Sequence, residues 1–189
     1  MKFFTVKPAA TFFNVEIRMT PEEVVAKVKA RAKANFKTGM NCAECVLEAV
    51  LAHIDTGLPH ETLCLMTGFG GGGGLFGDTC GALVGAMAAL GAVYGRREVP
   101  THAKAAYEEL YGNPGLYRLF NRLPNEFKQR FGSTQCRLLT SQWRKTWLCR
   151  DHALFCRNLV IEAAGLAAEM AAPKDLARWG SLPFGAQHP

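Results

Sequence analysis

Seven of the ten residues from Gly68 to Gly77 are glycine, and the run continues Asp78-Thr79-Cys80-Gly81-Ala82-Leu83-Val84-Gly85. So much glycine lowers helix and strand propensity alike, so no regular element can run through this stretch. The chain must be built from separate elements on either side of a loop that lets backbones approach closely. The apolar residues of the flanking segments recur at helical spacing, and no stretch alternates as a half-buried strand would. The expected fold is therefore all-α: a compact multi-helix bundle with a glycine-rich loop leading into a cysteine-bearing helix.

The helix signals are local and specific. Thr20-Pro21-Glu22-Glu23 combines an N-cap threonine, proline at the first helical position and glutamate at the third, and Val24, Val28, Ala32 and Phe36 follow at helical spacing until Gly39. Asn41 is expected to cap a second helix over about 41–55, with Glu44, Glu48 and Asp55 as its wet stripe, Cys42 pointing inward and Cys45 on the flank. A short helix is expected after Pro59. Asp78 or Thr79 should cap a helix over about 80–94, in which Gly81, Gly85 and Ala89 form a small-residue ridge suited to close helix packing. Further helices are expected from Thr101 to Tyr111, over 116–130, and over 151–171. Residues 1–19 read as an arm, 20–172 as one helical cysteine domain, and 173–189 as a tail. A chain of 189 residues suffices for one such domain.

The net charge is +6 and the pI about 9.0. The basic residues are dispersed, as in Lys27, Lys29, Arg31, Lys33 and Lys37, which is the pattern of a solvated helix face. That argues against nucleic acid as the partner. Trp143 and Trp147 with Arg144 and Lys145 read as core packing or a partner contact. No window reaches the length of a membrane span, and Pro8, Asn14, Glu16 and Arg18 break any secretory apolar run, so the expected compartment is the cytoplasm.

In a reducing compartment, Cys42, Cys45, Cys64, Cys80, Cys136, Cys149 and Cys156 are an odd set that points to metal, cluster or redox-thiol chemistry. Cys80 and Cys42 are the thiol candidates, because each falls in the first turn of an expected helix, where the helix dipole favours thiolate. Cys42-Ala43-Glu44-Cys45 is a C-x-x-C without the preceding strand of a thioredoxin-like site. Val46 follows it, which excludes c-type haem attachment, and the spacings match no ferredoxin ligand run. The glycine run lacks the Gly-Lys-Ser/Thr ending of a P-loop and the strand of a dinucleotide fold. His53 and His152 are possible ligands or bases, but a helix histidine among apolar neighbours is more often a packing residue.

Asn41-Cys42, the glycine run, Cys80-Gly81-Ala82-Leu83-Val84-Gly85, Phe131-Gly132 with Cys136, and Cys156 in a final helix together resemble the C-GCAxxG-C-C family, described as redox-active proteins with four characteristic cysteines. The resemblance covers about residues 22–170. It implies that Cys42, Cys80, Cys136 and Cys156 are the cofactor- and metal-binding cysteines, with Cys149 as the alternative fourth and Cys45, Cys64 and Cys149 otherwise extra. It implies electron transfer or redox sensing, with an iron–sulfur cluster or another thiolate-bound metal and a redox partner protein. A metal-free thiol/disulfide relay and a helical adaptor with structural cysteines are the alternatives. The apolar arm and the small-residue ridge make a homodimer plausible.

Overall fold

The computed structural model describes residues 19–113 and 115–171. The expected arm, apart from Met19, and the expected tail lie outside the described residues. Within them the fold is all-α. Eight helices follow one another: α1 (Pro21–Lys37), α2 (Cys42–Leu51), a single turn α3 (Gly70–Gly73), α4 (Gly81–Tyr94), α5 (Ala103–Tyr111), α6 (Leu116–Phe131), a single turn α7 (Cys136–Leu139) and α8 (Arg150–Ala171). The segment His60–Phe69, where a short helix is expected, is a 3-10 helix.

The two expected N-caps at the start of the bundle form as full capping boxes. The Thr20 hydroxyl accepts from the Glu23 amide at 3.2 Å while the Glu23 carboxylate accepts from the Thr20 amide at 2.8 Å. The Asn41 side-chain oxygen accepts from the Ala43 and Glu44 amides at 2.9 and 3.0 Å, and the Glu44 carboxylate accepts from the Asn41 amide. Each box satisfies amides that a helix start otherwise leaves without partners.

Helices α1, α2, α4 and α8 enclose the core. Val28 and Ala32 of α1, Val46 and Val50 of α2, Ala82, Ala86 and Leu90 of α4, and Val160, Ala163 and Ala167 of α8 are all wholly buried. The abundance of alanine and glycine sets the geometry. A Cβ on Gly85 would collide with the Ala43 carbonyl and come within 3.0 Å of the Val46 Cβ, so α4 lies with its backbone directly on α2. The Gly81–Gly85–Ala89 ridge is thus occupied inside the chain.

Two features of α2 differ from expectation. The helix ends at Leu51, four residues early, and Glu48 is not on a wet stripe but 3% exposed. Its carboxylate accepts three bonds from the Arg31 guanidinium, at 2.5, 2.9 and 3.1 Å, and one from the Asn35 side-chain amide. Burial alone would raise the Glu48 pKa, but the bonds from Arg31 and Asn35 outweigh it and hold the carboxyl below its usual range. Because α1 covers this face, Cys45 beside it is wholly buried rather than flanking, and Cys42 is the half-buried one of the pair.

Candidate functional site

The glycine run folds back on itself. Its amides at Leu75, Gly77 and Asp78 donate to the carbonyls of Gly70, Gly71 and Gly72 at 3.0–3.1 Å. Gly72 shows why glycine is required: its φ is +75°, and a Cβ there would lie 2.8 Å from the Cys136 Cβ and 2.7 Å from the Asp78 amide. The end of the run pairs with the segment leading into α7. Thr79 forms an isolated antiparallel bridge with Gln135, the Cys80 amide donates to the Thr134 carbonyl at 2.8 Å, and the Cys136 amide donates to the Asp78 carbonyl at 2.6 Å. That pairing commits Asp78 and Thr79 to a neighbouring segment, so neither caps α4. Cys80 itself takes the N-cap position, one residue later than expected.

On the other side, the Asn41 amide group donates to the Thr67 carbonyl at 3.0 Å, tying the cap of α2 to the approach of the glycine run. A Cβ on Gly81 would stand 2.5 Å from the Cys42 sulfur and 2.6 Å from the Phe69 carbonyl. The first turn of α4 therefore sits against the Cys42 sulfur.

These contacts bring Cys42 of α2, Cys80 before α4 and Cys136 of α7 together, and α8, packed on α2 and α4, places Cys156 within electrostatic reach of them. Each thiolate of the four would act electrostatically on the others: Cys42 on Cys80, Cys136 and Cys156, Cys136 on Cys80 and Cys156, and Cys80 on Cys156. All six pairings of the four are represented. Cys45 is coupled to Cys42, while Cys64 and Cys149 enter none of these pairings. Cys64 is exposed, and the Cys149 sulfur accepts from the His152 amide at 3.5 Å at the start of α8. Of the two cysteines considered for the fourth position, Cys156 is the one that joins the other three.

The electrostatics run against the expectation for Cys80. Burial, with only 5% of the residue exposed, pushes its thiol up to about 12, and the neighbouring Cys42 adds to this. The Ala82 and Leu83 amides at the start of α4 pull the other way without making a side-chain cap bond, and they lose. Cys156 is likewise pushed up to about 12, by burial first and then by Cys42, Cys80 and Cys136. Burial also raises Cys136, against a lowering contribution from Thr140. Buried, clustered thiols without a compensating cation stay protonated.

His152 is the site residue that sequence reasoning placed least well. It is 6% exposed, and its Nε2 lies 3.3 Å from the Cys156 sulfur. Their spacing of four residues in a helix was the available signal. His53, by contrast, is desolvated beside Lys27 and Arg31, which lowers its pKa, and it has no coupling to the quartet. Among the described residues, no three His, Cys, Asp or Glu side chains are grouped closely enough to hold a metal ion. No described helix is long and apolar enough to cross a membrane.

The family model described as "Putative redox-active protein (C_GCAxxG_C_C)" matches residues 40–170, which contain all four cysteines of the quartet. No curated protein and no solved structure matches the chain. Its match to that model over most of its length places the chain in the C_GCAxxG_C_C family.

Proposed function

We propose that Cys42, Cys80, Cys136 and Cys156 hold a thiolate-bound group of several metal atoms, an iron–sulfur cluster, through which the protein transfers or senses single electrons in exchange with a partner protein. The observation that carries this reading is the mutual coupling of four thiols contributed by four separate elements, three of them buried enough to be raised. As thiolates they would repel one another in a desolvated space. A bound cation removes that penalty and takes the thiols to their ionised form. Soft sulfur donors suit iron–sulfur clusters or zinc, and the family's redox description favours iron. When bound, such a group supplies a reversible one-electron change. The chain's own part is to supply the four sulfurs, to direct the Ala82 and Leu83 amides toward Cys80, and to keep water from the site with the glycine run.

The second reading is a metal-free relay in which two of these thiols form and break a disulfide. All seven cysteines are free, and the contact of Cys156 with His152 favours it. Against it, a thiol raised to about 12 is a poor nucleophile near neutral pH. Protein purified without oxygen separates the readings. A cluster predicts iron and sulfide in near-equal amounts with visible charge-transfer absorption. A relay predicts a colourless protein in which two free thiols, counted by mass spectrometry, appear on reduction. An unchanged thiol count in a metal-free protein would overturn both and leave the cysteines as core filling.

A further inference from the structure

We propose that the outer face of the glycine run and α7 is the docking surface for an acidic electron-carrier protein, which sets apolar groups on Leu75, Phe76 and Leu138 and carboxylates on the basic rim led by Arg137. The proposal rests on the redox reading above, whether a cluster or a thiol pair carries the electron, and gives the partner its chemistry. It starts from Leu75. Among the described residues, Leu75 is the one non-glycine residue with a positive φ, +69°. A bulky side chain is strained in that conformation and glycine is not. Glycine fills seven of the ten positions from Gly68 to Gly77, so the turn itself gives no reason for leucine. Nor does the core: Leu75 is 71% exposed and Phe76 beside it 73% exposed. Two large apolar side chains held outward from a glycine loop, one of them on strained backbone, offer a contact to another molecule.

The patch continues onto α7. The Arg137 amide and its Nε both donate to the Gly77 carbonyl, at 2.9 and 3.0 Å, and its guanidinium carbon lies 5.2 Å from the centroid of the Phe76 ring. Leu138, next in the chain, is 55% exposed. The inner side of the same loop touches the cysteines. A Cβ on Gly72 would stand 2.8 Å from the Cys136 Cβ, and the Asp78 carbonyl accepts from the Cys136 amide. A protein seated on Leu75 and Phe76 is therefore separated from Cys136 by one layer of backbone. Charge decides the occupant. From Thr62 to Cys80 the one charged residue is Asp78, whereas from Thr134 to Arg150 the charged residues are Arg137, Arg144, Lys145 and Arg150, all exposed. Trp143 and Trp147 of that segment stack on His152, which leaves Arg144 and Lys145 to the surface. A second copy would set this basic face against itself in a chain of net charge +6. The complementary occupant has an apolar centre and an acidic rim.

The test titrates the full-length chain, purified without oxygen, with oxidised flavodoxin, a small acidic one-electron carrier, in an isothermal calorimeter. The wild type is expected to bind it at low salt. Leu75→Gly/Phe76→Ser should weaken binding at least about tenfold. Raising salt from about 0.02 to about 0.5 M should weaken the wild type by a similar factor. Leu75→Gly alone should keep or raise Tm, because glycine relieves the backbone; a fall of more than about 4 °C would make Leu75 a structural residue and overturn the proposal. Wild-type binding weaker than about 1 mM, or binding that the double variant retains, also overturns it. So does self-association lost in the double variant, which makes a second copy the occupant, or tighter binding of a single-stranded DNA oligonucleotide than of flavodoxin. Iron, sulfide and thiol counts on the same preparation test the redox reading separately. A redox-active chain that ignores flavodoxin overturns the docking surface alone, and a chain with neither cluster nor redox-active thiols overturns both. Circular dichroism checks the fold. Should the double variant not fold, Phe76→Ser alone is judged by the same criteria.

Discussion

At Cys80 two opposing effects meet. A helix start favours a thiolate by about 1 kcal/mol at an exposed site. Raising a thiol from 9.0 to about 12 corresponds to roughly 4 kcal/mol against the thiolate, so burial decides. The sequence places Cys80 at the start of α4 but carries no direct record of how deeply the glycine run and α7 cover it. In the metal-free protein at pH 8, iodoacetamide should therefore modify exposed Cys64 first and leave Cys80 and Cys45 unmodified until denaturant is added. Mass spectrometry of the digested protein reads this, and Cys80 reacting as fast as Cys64 would contradict it. Gly81→Ala drives a methyl group into the Cys42 sulfur and the Phe69 carbonyl. It should cost about 1–3 kcal/mol in urea unfolding and lower bound iron, whereas an unchanged midpoint would mean the contact is not tight. Glu48 has its pKa lowered in the fold, so the stability it contributes is present above its unfolded pKa, near 4.5, and is lost as pH falls through the folded value. Urea midpoints from pH 7 down to 3 should fall less steeply for Glu48→Gln than for the wild type. Parallel profiles would refute this account of the buried carboxylate.

Helices α2 and α4 cross at Gly85, and here the spacing in the sequence was informative: the small-residue ridge forecast a close approach. Its partner was not legible, because a ridge of Gly81, Gly85 and Ala89 fits a second copy as well as a neighbour in the same chain. Gly85→Ala should destabilise by about 1–3 kcal/mol, since the added methyl meets the Ala43 backbone. Gly91 lies in the same helix with nothing within 4 Å of an added Cβ, so Gly91→Ala should stabilise by about 0.5–1 kcal/mol through helix propensity. Thermal melts of the two variants give opposite shifts if the crossing is as described, and two shifts of the same sign would deny it. Capping shows the same contrast. The boxes at Thr20 and Asn41 involve residues three apart and could be read directly. The cap of α4 could not, because Asp78 and Thr79 are taken up by residues 134–136, more than fifty positions away. Local chemistry is legible in a sequence, and competition from a distant segment is not.

Taken whole, the described residues form a four-helix core that carries four thiols within electrostatic reach of one another, on α2, at the start of α4, on α7 and on α8. The all-α class and the four cysteines followed from helical spacing and from the family resemblance. The convergence of the four depends on the bridge between Thr79 and Gln135 and on the packing of α8 along α1, α2 and α4. His152 escaped a firm reading because its contact with the Cys156 sulfur depends on the direction of one ring nitrogen. A group bound to the quartet would tie four elements together and so couple metal content to folding stability. The most direct measurement is the iron and acid-labile sulfide content of protein purified without oxygen, with Cys80→Ser alongside. Iron and sulfide are expected in near-equal stoichiometric amounts in the wild type and are expected to be lost in the variant. A wild-type protein that is folded, colourless and free of both would contradict the proposed cluster.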